Sequence, residues 1–262
     1  MKVCVIGLGE IGGGLLKEMA GFRIDEIVGV DIDEKKLEAF RKEGFNVSAK
    51  VPENFDVYVV AVLLTEQVID VVAKNRIPEK ALVVIESTIT PGTARRILEL
   101  KPKTKLVVFP HRFDPPTRDV HGYFNVSKDF VRVIGASDEK TMEEALAFYK
   151  RYLPTEFLHK TSVEIAELCK PLENAYRYVE IAFAEELKML CDKKGIDFNE
   201  LRNAANTKWN IEIREARDGI GKHCLPKDIR IMDSFFGNNS FFKSAAKADE
   251  EYRKHLEKGR KD

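Results

Sequence analysis

The chain has 262 residues and 44% hydrophobic content, enough to bury the core of one large domain or two modest ones. Lys plus Arg and Asp plus Glu are equal at 43 each, a balance that argues against a nucleic-acid or membrane-surface role. No stretch reaches the roughly 18 apolar residues of a bilayer span, and the first residues carry no small-residue cleavage site, so a cytoplasmic protein is expected.

The chain opens on "KVCVIGLG", an apolar run that enters a glycine turn. The runs "EIVGVDID", "DVYVVAV", "ALVVIEST", "KLVVFPH" and "FVRVIGA" repeat its character, with helix-period stretches such as "DEKKLEAFRKEG" between them. Continuous apolar runs suit strands buried on both faces of a parallel sheet. The expected fold class is α/β: a Rossmann-type doubly wound parallel sheet over residues 1–155, followed by a mostly helical domain over 156–262.

Within the first turn, Gly7, Gly9 and Gly12 form G-x-G-x-x-G, with Glu10 and Ile11 opening the helix and Asp31 ending the next strand. That context makes the motif a dinucleotide fingerprint, in which backbone approaches a pyrophosphate at a helix N-terminus. Asp31 would accept hydrogen bonds from a ribose 2′-hydroxyl and repel a 2′-phosphate, which favours NAD over NADP. Thr88 closes "VVIEST" and His111, with Arg112, closes "LVVFPHR", both where open α/β sheets bind ligands.

From about Thr161 the period changes to helical over "TSVEIAELCKPLENAYRYVEIAFAEELKMLCDKKG". Thr161 with Glu164 reads as a capping box, and Pro171 predicts a kink. Apolar residues, among them Ile165, Leu172, Val179, Phe183 and Leu190, cover more than one face, which predicts a homodimer through this helix. Lys170 and Asn174 are four apart and share a face. A second helix, "DFNELRNAAN", precedes "GIGKHCLPKD" and a charged C-terminal helix.

Four cysteines do not make a disulfide framework in a chain this long. Cys4, Cys169 and Cys191 read as reduced, buried thiols. Cys224 lies in the glycine-rich stretch with His223, Lys227 and Asp228 nearby, where cations and backbone N–H groups can stabilise a thiolate. No metal ligand set is assigned. Taken singly, Thr88 and His111 also read as ordinary loop residues, Lys170 with Asn174 as a packed helix surface, and Cys224 as a small cysteine in a turn.

Together, "VIGLGEIG", "VGVDID", "ESTITPGT", "AELCKPLENAYRYVEIAFAEELKMLCDKKGID" and "GIGKHCLPKDI" resemble the nucleotide-sugar dehydrogenase family, which includes UDP-glucose, GDP-mannose and UDP-N-acetylmannosamine dehydrogenases. The resemblance implies oxidation of a sugar primary alcohol to an acid with two NAD. It implies catalytic roles for Lys170, Asn174, Cys224 and Asp228, and a water-ordering role for Thr88, which also borders the cofactor. The sequence departs from the family in reading Pro110-His111-Arg112 where a catalytic glutamate is usual, so His111 is the candidate base. Val62-Leu63-Leu64 replaces a proline- and threonine-rich turn, Lys222 replaces a glycine, and Pro171 follows the lysine. The chain stops about where the family's third, nucleotide-gripping domain would start, which makes it a truncated form. Two other readings remain open: a two-electron dehydrogenase of the β-hydroxyacid type acting on a small alcohol, and a non-catalytic dinucleotide-binding dimer.

Overall fold

The computed structural model describes residues 1–112, 123–221, 224–237 and 241–259. Along the chain run β1 (Lys2–Ile6), α1 (Glu10–Ala20), β2 (Glu26–Val30), α2 (Glu34–Lys42), β3 (Val47–Ser48), β4 (Val57–Val60), α3 (Thr65–Lys74), β5 (Leu82–Ile85), α4 (Thr93–Leu100), β6 (Lys105–Val108), β7 (Arg132–Ala136), α5 (Glu139–Tyr149), β8 (Leu158–Ser162), α6 (Val163–Lys194), α7 (Phe198–Ala205), α8 (Cys224–Phe235) and α9 (Phe241–Gly259).

The eight strands form one sheet in the order β3-β2-β1-β4-β5-β6-β7-β8. Each pair is parallel except β6 with β7. The apolar runs alternate between two cores. Val3, Val5, Val57, Val59, Leu82 and Val84 enter one, while Cys4, Ile6, Tyr58, Val60, Val83 and Ile85 enter the other. Burial on both faces is why these strands read as unbroken apolar runs, each large aliphatic side chain contributing about 1.5–3 kcal/mol. Asp33, Asp138 and Asp197 cap α2, α5 and α7 by accepting first-turn amides.

Two compact units divide the chain, Met1–Cys169 and Lys170–Asp262. The expected division at 155/156 falls short of this boundary, because β8 pairs with β7 and Val163 and Ala166 pack into the core of the sheet. The same pairing moves the start of α6. Thr161 is held in β8, so the first-turn amide of Ile165 donates to Ser162 Oγ instead. α6 runs from Val163 to Lys194 with Pro171 inside it. Among the described residues no helix is long and apolar enough to cross a membrane.

Candidate active site

β1 delivers the chain into the glycine turn at Gly7, whose φ of +93° lies in the left-handed region. A Cβ on Gly7 would sit 2.5 Å from the Ala61 carbonyl oxygen, and one on Gly12 would sit 1.8 Å from that of Gly7. A Cβ on Gly9 would meet nothing within 4 Å. The first and third glycines are therefore demanded by the chain's own packing, whereas the second leaves open space at the N-terminus of α1. As N-cap, Gly9 has no side chain to satisfy the first amides of that helix, and Glu10 beside it is exposed while Ile11 is half-buried. A space that a Cβ would fill, beside uncapped helix amides, fits a pyrophosphate.

Asp31 stands at the end of β2. Its Oδ2 accepts from the Leu8 amide at 2.7 Å and from Lys36 Nζ at 3.1 Å, and its Oδ1 accepts from the Asp33 amide at 2.9 Å. Burial pushes its pKa up, but the amides of Asp33 and Leu8, together with Lys36, outweigh that and hold the carboxyl below its ordinary value. Three of the roughly four acceptor sites of a carboxylate are used, which leaves room for a ribose hydroxyl.

Thr88 and His111 lie past the carboxyl ends of β5 and β6, Thr88 half-buried and His111 buried. The His111 amide donates to the Glu86 carbonyl at 3.2 Å, and the His111 ring lies 5.3 Å from that of Tyr123. Tyr123 packs against Gly14 of α1, and its hydroxyl donates to the Glu10 carbonyl at 3.0 Å. Beneath these loops, Arg132 and Glu86 form a wholly buried ion pair of 2.7 Å. Arg132 also donates to the carbonyls of Tyr123 and Phe109, at 2.9 and 3.1 Å, and the Tyr149 hydroxyl donates to Glu86 at 3.2 Å. Burial raises the pKa of Glu86, and the Arg132 charge pulls it back. Glu167 holds the N-terminus of α4, accepting from the amides of Gly92 and Ala94 at 2.6 and 2.9 Å. That helix follows directly on the Thr88 loop.

In the helical unit, Cys224 is the first residue of α8 and is exposed. It sits one turn before Asp228, on the same face. Lys170 likewise sits one turn before Asn174 on α6. Asn174 and Asp228 are both buried, and Asn174 Nδ2 donates to Asp228 Oδ2 at 2.6 Å. The two helices thus touch at this pair, with Lys170 and Cys224 each one turn earlier on its own helix. Lys227 turns to Asp228, with Nζ 2.6 Å from Oδ1, so its charge is drawn by that carboxylate. His223 and Lys222 lie outside the described residues. All four cysteines are free; Cys4 and Cys191 are buried and Cys169 is half-buried.

Sequence reasoning passed over the Glu86–Arg132–Tyr149 network, the Glu167 clamp and Tyr123. The first had a visible signal: a glutamate and an arginine, of opposite sign, each set in an otherwise apolar strand segment. The fold and this constellation define a Rossmann-type dinucleotide unit joined to a helical unit bearing a Lys-x-x-x-Asn helix and a Cys-x-x-x-Asp helix. Residues 164–251 match the central domain of the UDP-glucose/GDP-mannose dehydrogenase family, and residues 3–75 match the TrkA-N domain. The chain is 31% identical over 265 residues to the UDP-N-acetyl-D-mannosamine dehydrogenase of Methanocaldococcus jannaschii, an alignment covering 87% of this chain and 60% of that protein. It superimposes on the UDP-D-ManNAc dehydrogenase of Pyrococcus horikoshii with a TM-score of 0.76 and 27% identity, covering 96% of this chain and 69% of the other. The fold also matches the UDP-N-acetyl-mannosamine dehydrogenase Cap5O of Staphylococcus aureus, with a TM-score of 0.80 at 22% identity, over 98% of this chain and 69% of that one. The chain carries a UDP-glucose/GDP-mannose dehydrogenase family domain, is a relative of the nucleotide-sugar dehydrogenases, and is shorter than they are. A nicotinamide dinucleotide is the cofactor class that goes with these domains.

Proposed function

We propose that this protein is a cytoplasmic, homodimeric, NAD-dependent dehydrogenase that oxidises an alcohol carbon of a nucleotide sugar to an acid. The observation that carries the reading is the buried Asn174–Asp228 hydrogen bond, which joins the lysine-bearing helix to the cysteine-bearing one. Gly7, Gly9, Gly12 and the first turn at Glu10 and Ile11 would hold the pyrophosphate, and Asp31 the ribose. When bound, the nicotinamide accepts the hydride that leaves the alcohol carbon, one dinucleotide for each oxidation.

The Lys170 ammonium holds the substrate oxygen as it loses its proton. Asn174 spends one amide hydrogen on Asp228 and has the other for the same oxygen. Cys224 Sγ, at the N-terminus of α8 where helix amides favour a thiolate, attacks the aldehyde carbon and gives a thiohemiacetal. The second oxidation makes a thioester. Water then adds to its carbonyl, the C–S bond breaks, and the acid leaves with the thiol restored. Asp228 orders that water. Thr88 keeps the water-ordering role that the family resemblance gives it, and His111, standing where the family has a glutamate, accepts the proton.

Free thiols fit a reducing compartment. Tyr176, Phe183, Trp209 and Phe241 are exposed and line a groove of about 710 Å³ on the helical unit, an apolar face suited to a second copy of the chain. The test is turnover of a nucleotide-sugar panel with NAD and with NADP, counting reduced cofactor per acid formed. Two NADH per acid, little activity with NADP, and arrest of acid release in Cys224→Ser are expected. One NADH per substrate with full activity in Cys224→Ser would overturn the thioester route.

A further inference from the structure

The stretch that leads to Cys224 is held from outside itself. Gly219 has a φ of +86°, and a Cβ there would press on Arg253 at 3.0 Å. The next residue, Ile220, is buried; its amide donates to Asp249 Oδ1 at 2.8 Å, and its carbonyl accepts from Arg253. Asp249 takes further hydrogen bonds from the Tyr178 hydroxyl, at 2.9 Å, and from Arg253 Nε, at 3.2 Å. Two residues before Gly219, the Arg217 carbonyl accepts from the Tyr252 hydroxyl at 2.8 Å. α9 therefore grips residues 217–220 through Asp249, Tyr252 and Arg253.

Glu185 of α6 is wholly buried within reach of Asp249 and Arg253, and among the described residues no donor reaches either of its carboxyl oxygens. A buried anion without a donor is costly, and one facing a second anion is costlier. As the neutral acid, Glu185 can instead donate to Asp249. The charged and titratable groups around it are Tyr178 on its own helix, Asp249, Tyr252 and Arg253 on α9, and, beyond Tyr252, the Asp192–His255 pair.

We propose that Glu185 and Asp249 share one proton and together latch the glycine turn that leads to Cys224, so that the placement of the thiol depends on pH. Its functional weight rests on the reading of Cys224 as nucleophile. Burial first, then the Asp249 charge, push the Glu185 carboxyl up to about 8, with Arg253 opposing. A carboxyl whose folded pKa is raised binds its proton better in the folded chain than in the unfolded one. The latch is therefore intact below the ordinary glutamate value of about 4.3 and weakens as pH climbs towards the folded value. Loss of the proton to solvent leaves two carboxylates facing one guanidinium, which is hydrogen-bonded to Asp249.

Hydrogen–deuterium exchange of the peptide spanning residues 217–221, measured from acidic to alkaline pH, reads the latch directly. Comparing the full chain with Glu185→Gln at each pH cancels the intrinsic pH dependence of exchange. The ratio of exchange rates, native over variant, is expected to be near unity at about pH 4, to rise at least about fivefold as the pH climbs from there, and to level off once Glu185 is ionised in the folded chain. Timed iodoacetamide labelling of Cys224, compared in the same way, should break over the same range. Asp249→Asn, which keeps an oxygen for the Ile220 amide but removes the charge, should move the step to lower pH. A ratio flat within about twofold, or a step unmoved in Asp249→Asn, overturns the proposal. Exchange does not involve thiol chemistry, so a flat ratio refutes the latch alone, whereas full activity in Cys224→Ser refutes the nucleophile alone.

Discussion

Adding one methyl group at Gly9 separates what the glycine turn does for the fold from what it does for a ligand. Gly9 has φ −76° and ψ −163°, extended backbone that alanine adopts, and its Cβ would enter open space. Loss of a favourable N-cap residue and the lower entropy of the unfolded chain act in opposite directions, so Gly9→Ala should change stability by no more than about 1 kcal/mol. In a chain of this size that is a melting shift of no more than about 4 °C. A pyrophosphate lying on the α1 amides would meet the new methyl, and forcing a methyl into a filled space costs about 1–3 kcal/mol. That corresponds to roughly a 5- to 150-fold weaker Kd for the dinucleotide. Gly12→Ala is the contrasting case. Its Cβ would lie 1.8 Å from a backbone oxygen, so the turn itself must move and melting should fall as well. Calorimetric titration of NAD beside thermal melting reads both quantities. If Gly9→Ala melts and binds NAD as the native chain does, the open space at Gly9 is not where the dinucleotide lies.

Arg132→Met should strand the Glu86 carboxylate in the core and lower stability by about 3–5 kcal/mol, measurable by urea unfolding; a loss below about 1 kcal/mol would show the pair to be dispensable. Phe183→Glu places a charge on the exposed apolar face of α6 and should convert a dimer to a monomer in light scattering without lowering the melting temperature of the isolated chain. A native chain that is already monomeric at micromolar concentration would refute the assembly.

What could be read beforehand follows from how each element is buried. The strands with both faces in a core show unbroken apolar runs, and all six were legible. β3 has two residues, and β8, "LHKTS", buries Leu158 while His159 and Lys160 are exposed, so neither carries an apolar signal. α8 was hidden by its punctuation. "GIGKHCLPKDI" reads as a loop, yet Pro226 falls in the first turn of the helix, where the missing N–H would have had no partner in the helix anyway. The G-x-G-x-x-G turn was legible because local backbone geometry fixes it. The Asn174–Asp228 bond, 54 residues apart, was not, because only packing of α6 against α8 creates it.

The residues that sequence reasoning missed share a physical role that explains why they were missed. Thr88, His111 and Cys224 sit on segments outside regular structure or at a helix end, where backbone groups lack partners of their own. Each such segment is completed by a buried charge from a distant element. Arg132 takes the carbonyls of Phe109 and Tyr123, Glu167 takes the amides at the head of α4, and Asp249 takes the amide of Ile220. These side chains need no fixed spacing from the segment they complete; they need only to be buried beside it, and burial is a property of the folded chain. A charged residue set in an apolar strand is the trace such a group leaves in sequence, as at Glu86 and Arg132. On an amphipathic helix, where charges are ordinary, Glu167, Glu185 and Asp249 leave none.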